Sequence, residues 1–345
     1  MVTIRQVARQ AGVSIGTVSR VLNNKPGVSE QTRQYVLTVA QELSYSPPKN
    51  LSPLIAKVTQ LSLLVRPLEE GLMSNPFYAD VFHGVEKVCR EQHINLSFSS
   101  LDIVGERLHS LPPLVKDRYN HGLILLGALP EEVVDAVITF FKLPLVLVDN
   151  GFPHRAIDTV VIDNFLGMHL AVELLHSKGH THIALISGPD HSSINERRQG
   201  YEAALRRHNL KPVVVTPPHL EHEDGERGII ELLQQAPETT AILCSNDMQA
   251  IGALRKLQQL GFQVPDDFSL IGFDDINLVE FTSPPITTIR VDREALGQTA
   301  AQLLLEKIEN PGRSPLKIIL GVELINRASV CNPRPERFAK QRFTG

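Results

Sequence analysis

The chain has 345 residues, of which 42% are hydrophobic, and a formal net charge of −4 at pH 7. This length predicts two or three folding units with substantial cores rather than one small domain. No stretch approaches the roughly 20 apolar residues of a membrane-spanning helix, and the N-terminus lacks the basic-then-apolar pattern of a signal peptide, so we expect a cytoplasmic protein with no membrane partner. Three widely spaced cysteines argue against a disulfide framework or a zinc site, and we expect no cofactor.

The charge is distributed unevenly along the chain. Residues 1–60 contain seven Lys and Arg residues and two Glu residues, a net charge of +5, so the rest of the chain, whose total is −4, carries −9. A small basic segment on an acidic body is typical of a nucleic-acid-binding arm whose body stays away from the phosphates.

Residues 4–22 predict two short helices joined by a tight turn. Apolar residues at helical spacing form the buried face of each helix: Ile4, Val7, Ala8 and Ala11, then Val13, Val18 and Val21. Gly12 suits the end of the first helix, and Ser14 can cap the second by accepting a hydrogen bond from its free N–H groups. The pattern indicates a helix-turn-helix that places its second helix in a DNA groove, although an amphipathic hairpin on a larger domain would show the same spacing.

The outward side of the second helix carries Ile15, Gly16, Thr17, Ser19 and Arg20. Short, mostly polar side chains with one guanidinium that can bind both acceptors of a guanine edge suit a recognition helix. A third helix is expected to begin at the cap Ser29 and to run through Thr32 to Leu43, where it closes the core of this headpiece.

The headpiece sequence resembles a known family. The run at 13–23 reads Val-Ser-Ile-Gly-Thr-Val-Ser-Arg-Val-Leu-Asn, and Lys-Pro-Gly-Val-Ser-Glu-Gln-Thr-Arg follows at 25–33. Both runs closely resemble the headpiece of the LacI/GalR family of bacterial transcription regulators. The resemblance implies a homodimer that binds double-stranded operator DNA. We expect DNA contacts from Thr3, Ser14, Ile15, Gly16, Thr17, Ser19, Arg20, Asn23, Ser29, Thr32 and Leu54.

Residues 47–60 are expected to form a hinge. Pro47 and Pro48 force an extended exit from the headpiece, and the resemblance implies a hinge helix that folds on operator DNA and inserts Leu54 into the minor groove. The hinge departs from the family's alanine-rich pattern, because Pro53 directly precedes this leucine. A helix that starts at 52 tolerates Pro53 in its first turn, but Leu51 or Ile55 could be the wedge instead, and a linker with no role in DNA binding stays an alternative.

From residue 61 onward, apolar strand-like runs alternate with helical patterns. Strands are predicted at 61–65, 95–98, 122–126, 145–148, 160–162, 183–186, 241–244 and 269–272, and helices at 78–91, 165–178, 196–208 and 247–260. Such alternation predicts parallel sheets covered by helices. It resembles the two-lobed, periplasmic-binding-protein-like α/β fold of the family's effector domain, so we expect a small all-α helix-turn-helix headpiece followed by that domain.

The expected boundaries follow from this pattern. The headpiece occupies 1–46, the hinge 47–60 and the effector-binding and dimerisation domain 61–332. Lobe 1 takes about 61–161 and 291–321, and lobe 2 takes about 162–290 and 322–332. The polar tail at 333–345 has no leucine heptad, which argues against a tetramerising helix.

Ligands of open α/β sheets bind beyond the carboxyl ends of the strands, where polar residues end several predicted strands. The expected effector-binding residues are Phe77, Asp149, Phe165, Asn246 and Asp274, and the family resemblance adds Arg197. Charged groups and an aromatic ring suit a small polyhydroxylated ligand such as a sugar or sugar derivative. Structural roles are an alternative for such residues. Asp163, Asp247 and Asp275, which also follow predicted strands, are expected to cap the helices that follow them. The rings of Phe77 and Phe165 could belong to the core.

We therefore expect a sequence-specific transcriptional regulator, by default a repressor, whose operator affinity changes when a small metabolite binds between the lobes. An uptake binding protein should have a signal peptide and no basic headpiece. An enzyme should have a paired acid and base or a phosphate loop, and Ser187-Gly188-Pro189 lacks the Gly-Lys-Ser/Thr of a P-loop. We expect no enzymatic activity.

Overall fold

A computed structural model of the protein describes residues 3–22, 27–43, 45, 58–66, 75–110, 112 and 120–334. The chain divides into two compact units, Met1–Val58 and Thr59–Gly345. None of the helices within the described ranges is long and apolar enough to cross a membrane.

The first unit is a three-helix bundle. Its helices are α1 Ile4–Gln10, α2 Ile15–Leu22 and α3 Glu30–Glu42. Val7, Val18 and Val36, one from each helix, are completely buried and form the centre of its core. Gly12 has a φ of 64°, which lets the chain turn sharply from α1 into α2 without steric strain.

The second unit alternates strands and helices. In chain order it begins with β1 Gln60–Val65, α4 Pro76–Glu91, β2 Asn95–Ser100, β3 Asp102–Val104, β4 Arg107–Ser110, β5 Asn120–Leu126, α5 Glu131–Phe141, β6 Leu145–Val148, β7 Asp158–Ile162, α6 Asn164–Ser177 and β8 Ile183–Ile186. It continues with α7 Ser192–Arg207, β9 Val213–Val215, α8 His222–Gln235, β10 Ala241–Cys244, α9 Asp247–Gln259, β11 Ser269–Ile271, a short 3₁₀ helix Asn277–Glu280, β12 Thr288–Val291, α10 Arg293–Glu309, β13 Lys317–Leu320 and β14 Val322–Ile325.

These elements form two lobes, each around its own parallel sheet. Lobe 1 contains the six-stranded sheet with the order β13-β7-β6-β5-β1-β2, and lobe 2 contains the four-stranded sheet β11-β10-β8-β9. An antiparallel pair, β12 and β14, continues lobe 2 beyond β11, because backbone bridges join Ile271 to Thr287 and Asp274 to Arg290. The described chain passes between the lobes after β7, between β12 and α10, and between β13 and β14.

Several elements were not predicted from the sequence, among them α5, α8 and α10 and the strands β9, β12, β13 and β14. Strands β3 and β4 form an antiparallel hairpin with a turn at Gly105, whose φ is 63°. Helices α4 and α10 cross so closely that a Cβ on Gly297 would lie 2.0 Å from the Val81 carbonyl oxygen. Only glycine permits that approach.

Candidate functional site

The first candidate site is the exposed face of α2 in the three-helix unit. Ser14, Ile15, Gly16 and Arg20 are exposed there, while Thr17 and Ser19 are partly exposed. Ser14 caps the helix, since its Oγ accepts a hydrogen bond from the Thr17 N–H at 3.1 Å. The apolar side chains of this helix point the opposite way into the core. The arrangement leaves a polar helix face free to enter a groove.

The N-terminus of α3 supplies further polar groups. Ser29 accepts a hydrogen bond from the Thr32 N–H at 3.2 Å, and the two hydroxyls lie 2.7 Å apart. Thr3 is the N-cap of α1, and its own N–H donates to Gln6 Oε1 at 2.8 Å. Helix N-termini attract phosphate groups because their N–H groups and dipoles are positive. Asn23, residues 47–57 of the predicted hinge and the alternative wedges Leu51, Leu54 and Ile55 lie outside the described residues.

The second candidate site is a cavity of about 710 Å³ between the lobes of the second unit. Lobe 1 contributes to its lining Arg66, Ala128, Leu129, Asp149, Asn150, Phe152, Arg155, Ile157 and Lys317, and lobe 2 contributes Asn164, Asp190, His191, Ser193, Asn195, Glu196 and Gln199. This volume lies within the range of small-molecule sites. Because both lobes contribute, a ligand there contacts both of them.

Asp149 follows β6 and is a buried carboxylate in the lining of the cavity. The residue is 8% exposed, and its Oδ1 accepts no hydrogen bond from the described residues. Burial raises the pKa of Asp149 to about 7, although the Arg197 charge opposes the shift. A buried carboxylate without a donor is costly, so this oxygen is prepared to accept a hydrogen bond from a ligand.

His191, at the end of the loop between β8 and α7, offers a second unused group. Its Nδ1 is paired with Ser193 Oγ at 2.8 Å, whereas its buried Nε2 has no partner among the described residues. Burial and the nearby Arg197 and Arg66 charges lower the pKa of His191 to about 4, so the ring is neutral at pH 7. A neutral imidazole nitrogen can donate to or accept from a ligand hydroxyl, depending on its tautomer.

Arg197 and Asp274 form a buried network behind the cavity wall. Arg197 is 4% exposed; its Nε donates to Asn164 Oδ1 at 2.8 Å, its Nη1 donates to the Ser245 carbonyl oxygen, and its Nη2 lies 3.3 Å from Asp274 Oδ1. The guanidinium also lies 3.8 Å from the centre of the Phe273 ring. Burial raises the pKa of Asp274, against the opposing Arg197 and Arg293 charges. Arg197 therefore positions Asn164, which lines the cavity.

The other predicted effector residues lie elsewhere. The described lining of the cavity does not include Phe77, Phe165 or Asn246. Phe77 is buried against Tyr78, and Phe165 is exposed and stacked on His169 with ring centres 6.2 Å apart. Asn246 caps α9: its Oδ1 accepts from the Gln249 N–H at 2.8 Å and its Nδ2 donates to the Leu220 carbonyl oxygen at 3.0 Å.

Tyr78 follows Phe77 in the first turn of α4. Asn75 caps α4 by accepting from the Phe77 and Tyr78 N–H groups, which fixes this first turn. Burial raises the pKa of the Tyr78 hydroxyl, and the nearby carboxylates of Asp149 and Asp274 raise it further. Asn164 and His191 line the cavity and were missed as site residues, although the rule of polar residues beyond strand ends covers them.

Of the three predicted aspartate caps, one is correct. Asp163 caps α6 by accepting from the Leu166 N–H at 2.9 Å. Asp247 is not a cap, because Asn246 occupies that position; the buried Asp247 carboxylate accepts from the Ile276 N–H and the Thr288 hydroxyl. Asp275 is not a cap either, since the next helix begins only at 277 and its carboxylate pairs with Arg290 and Arg327, each at 2.7 Å.

The raised pKa of Asp149 predicts a trade-off between stability and binding. The folded-state pKa of about 7 lies above the unfolded value near 4, so the wild type loses stability as the pH rises from about 4 to 7. Asp149→Asn removes this loss, and at pH 8 we expect it to raise the free energy of unfolding by a few kcal/mol, on the order of the pKa shift. Ligand affinity should fall.

Thermal unfolding of both proteins at pH 5 and pH 8 tests this. The exposed rim residue Asp190 offers the control Asp190→Asn, which should show no such gain. An Asp149→Asn variant whose stability difference from the wild type is the same at both pH values would contradict the prediction.

A helix-turn-helix unit in the same chain as a two-lobed α/β unit, with a cavity between the lobes, is the architecture of a DNA-binding regulator. Residues 3–48 match the bacterial regulatory proteins of the lacI family, and residues 172–330 match the periplasmic-binding-protein-like domain. The chain is 33% identical to the ribose operon repressor of Haemophilus influenzae, over 96% of this chain and 99% of that protein. The chain belongs to the LacI family of bacterial regulatory proteins.

Solved structures agree with this assignment. The transcriptional regulator CelR in complex with cellobiose is 28% identical, with a TM-score of 0.71 over 95% of this chain and 100% of that chain. The lac repressor dimer bound to operator and the anti-inducer ONPF is 26% identical, with a TM-score of 0.69 over 96% of this chain and 99% of that one. The predicted fold class is confirmed, and the chain is a regulator rather than an enzyme.

Proposed function

We propose that the protein is a homodimeric transcriptional repressor in the bacterial cytoplasm that binds a pseudo-palindromic, double-stranded operator. Its operator affinity changes when a sugar or sugar derivative binds between the lobes. The observation that carries the ligand assignment is the unpaired, buried Asp149 Oδ1 in a cavity lined by both lobes. The exposed polar face of α2 carries the DNA assignment.

Two-fold symmetry links the homodimer to the operator. A helix-turn-helix dimer presents its recognition helices about one turn of DNA apart, so that each reads one half-site. The lac repressor neighbour, which is a dimer bound to operator, supports this arrangement. We also propose that residues 47–60 form the hinge between the two units and that Leu54 is its minor-groove wedge.

The chemistry of the cavity favours a neutral, hydroxyl-bearing ligand. One ligand hydroxyl can donate to Asp149 Oδ1, and another can form a hydrogen bond with His191 Nε2. Ser193 and Asn164 also line the cavity. Leu129 and Phe152 offer apolar surface for the C–H face of a sugar ring. The cellobiose complex of CelR and the ribose operon repressor support a carbohydrate.

Coupling to DNA requires that the ligand bind one lobe arrangement more tightly than the other. Our default is an inducer that relieves repression.

Thermal unfolding with D-ribose, cellobiose and a nucleoside, followed by operator titration with each compound that binds, tests the effector class. A ligand at a hundred times its Kd stabilises the folded state by about 2.7 kcal/mol, so a carbohydrate effector raises Tm and shifts operator affinity. Stabilisation by the nucleoside alone would contradict the carbohydrate assignment and leave the DNA assignment intact.

Arg20 and Thr32 should separate base reading from positioning. Arg20→Ala removes an exposed guanidinium from α2 and should lose about 1–3 kcal/mol on the specific site, with relaxed sequence preference. Thr32→Ala, an expected phosphate contact, should weaken binding to all sequences about equally. Titration of both variants against a duplex selected from a random library, and against random DNA, measures the difference. Equal losses on both duplexes for both variants would show that α2 is not the recognition helix.

A further inference from the structure

Arg293 lies where the chain passes from lobe 2 into lobe 1. It is the first residue of α10, directly after the N-cap Asp292 and two residues beyond the end of β12. Its side chain is only 10% exposed. A nearly buried guanidinium requires several hydrogen-bond acceptors, so the positions of these acceptors indicate which elements Arg293 connects.

Those partners belong to different lobes. Arg293 Nε lies 2.9 Å from Asp80 Oδ2 on α4 of lobe 1. Arg293 Nη1 donates to the backbone carbonyl oxygen of Asp274 in lobe 2, and the Asp274 carboxylate in turn pairs with Arg197. One guanidinium therefore joins α4 to the turn that carries the buried Arg197–Asp274 pair.

The Asp274 turn needs such support. Asp274 has a φ of 107°, a region that residues other than glycine rarely adopt. Its N–H donates to the Ile289 carbonyl oxygen at 2.8 Å, and Arg293 binds its carbonyl oxygen. The bond from Arg293 thus holds the backbone of Asp274, the residue whose carboxylate pairs with Arg197.

The Arg293 contact borders a cavity of about 410 Å³, which has Asp80 and His83 of lobe 1 and Asp275 and Arg290 of lobe 2 in its lining. Arg290 differs from Arg293 in both burial and partners: it is 47% exposed, and it pairs with Asp275 and Glu323, both in lobe 2.

We propose that Arg293 is a positioning residue that ties the Asp274 turn of lobe 2 to helix α4 of lobe 1 and thereby fixes the relative position of the lobes. The tie itself is independent of the proposed function. Its consequence for ligand binding rests on that function, because a ligand between the lobes has to bind the arrangement that Arg293 holds.

The distance between the lobes in the ligand-free protein tests the tie. Nitroxide labels at Glu132→Cys on α5 and Gln259→Cys on α9, both exposed positions, report this distance by pulsed electron resonance in a Cys331→Ser background. Cys89 and Cys244 are buried. The labelled protein is diluted into unlabelled protein so that each measured pair lies within one chain.

We expect Arg293→Met and Asp80→Asn to shift or broaden the distance distribution, and Arg290→Met to leave it as in the wild type. The double variant should change it no more than Arg293→Met alone, because Asp80 acts on the bond between the lobes only by holding the Arg293 guanidinium. A distribution that is unchanged in Arg293→Met overturns the proposal. Asp80→Asn keeps the test decisive if Arg293→Met does not fold.

Binding of D-ribose provides the second readout. Arg293→Met should change its dissociation constant by roughly 3- to 30-fold, the range of variants that alter coupling without contacting ligand, while Arg290→Met should not change it. If the lobe distance shifts but D-ribose fails to bind the wild type, the tie stands and ribose is not the effector. If wild-type protein responds to D-ribose but Arg293→Met retains both the wild-type lobe distance and the wild-type affinity, the proposed function stands and the tie is refuted.

Discussion

Arg197→Ala should abolish the response of operator affinity to ligand and lower the stability of the effector unit by about 3–5 kcal/mol, the usual effect of removing one partner from a buried ion pair. Arg197 binds Asn164, the Ser245 carbonyl oxygen and the Asp274 carboxylate, and the substitution leaves the Asp274 charge buried without its partner. The headpiece has its own core, so DNA binding without ligand should persist. Denaturant unfolding and operator titration with and without D-ribose or cellobiose measure both effects.

Arg198→Ala provides the matched control. Arg198 is the neighbouring residue on α7, but it is exposed and pairs with Glu202 on its own helix at 2.8 Å. Exposed pairs of this kind contribute little, so this variant should keep wild-type stability and ligand response. A wild-type ligand response in Arg197→Ala would remove the network from the site. Loss of DNA binding in the absence of ligand would instead show that Arg197 holds the lobe arrangement that the headpieces need.

The headpiece could be predicted almost completely from the sequence because its signals are local. The apolar spacing in 4–22 identified α1 and α2, and Val18 and Val21 are buried as expected. Ser14 and Ser29 cap the helices for which they were predicted. Each of these features depends on residues within one or two turns of helix.

The lobes could be predicted as a fold, whereas the details of the cleft could not. Adjacent residues on a helix point about 100° apart, so whether the Phe77 ring faces the cavity or the core depended on how α4 packs on the sheet. The pattern also could not tell which of Asn246 and Asp247 takes the extended N-cap conformation. Arg197 was predicted as a ligand contact, but its partners lie 33 to 77 residues away in sequence, and only the fold brings them together.

Operator binding should weaken by about 10³- to 10⁵-fold between roughly 50 and 200 mM salt, the loss expected for six to ten phosphate contacts. The headpiece region carries a net charge of +5 and a dimer has two copies of it. Each neutralised phosphate releases condensed counterions, so affinity falls with added salt. The rest of the chain has a net charge of −9, which does not favour contacts with phosphates. Fluorescence titration of a labelled operator at a series of salt concentrations gives the slope.

Two neutralising variants assign this salt dependence to the headpiece. Arg5 is exposed on α1, the helix that crosses the DNA backbone in a helix-turn-helix complex, so Arg5→Gln should reduce the slope by roughly one for each phosphate that is no longer neutralised. Arg207→Gln removes the same charge from an exposed site at the end of α7 and should leave the slope unchanged. If specific binding barely changes with salt, the basic headpiece does not contact phosphates; if both variants lower the slope equally, the total charge of the chain rather than the headpiece determines operator affinity.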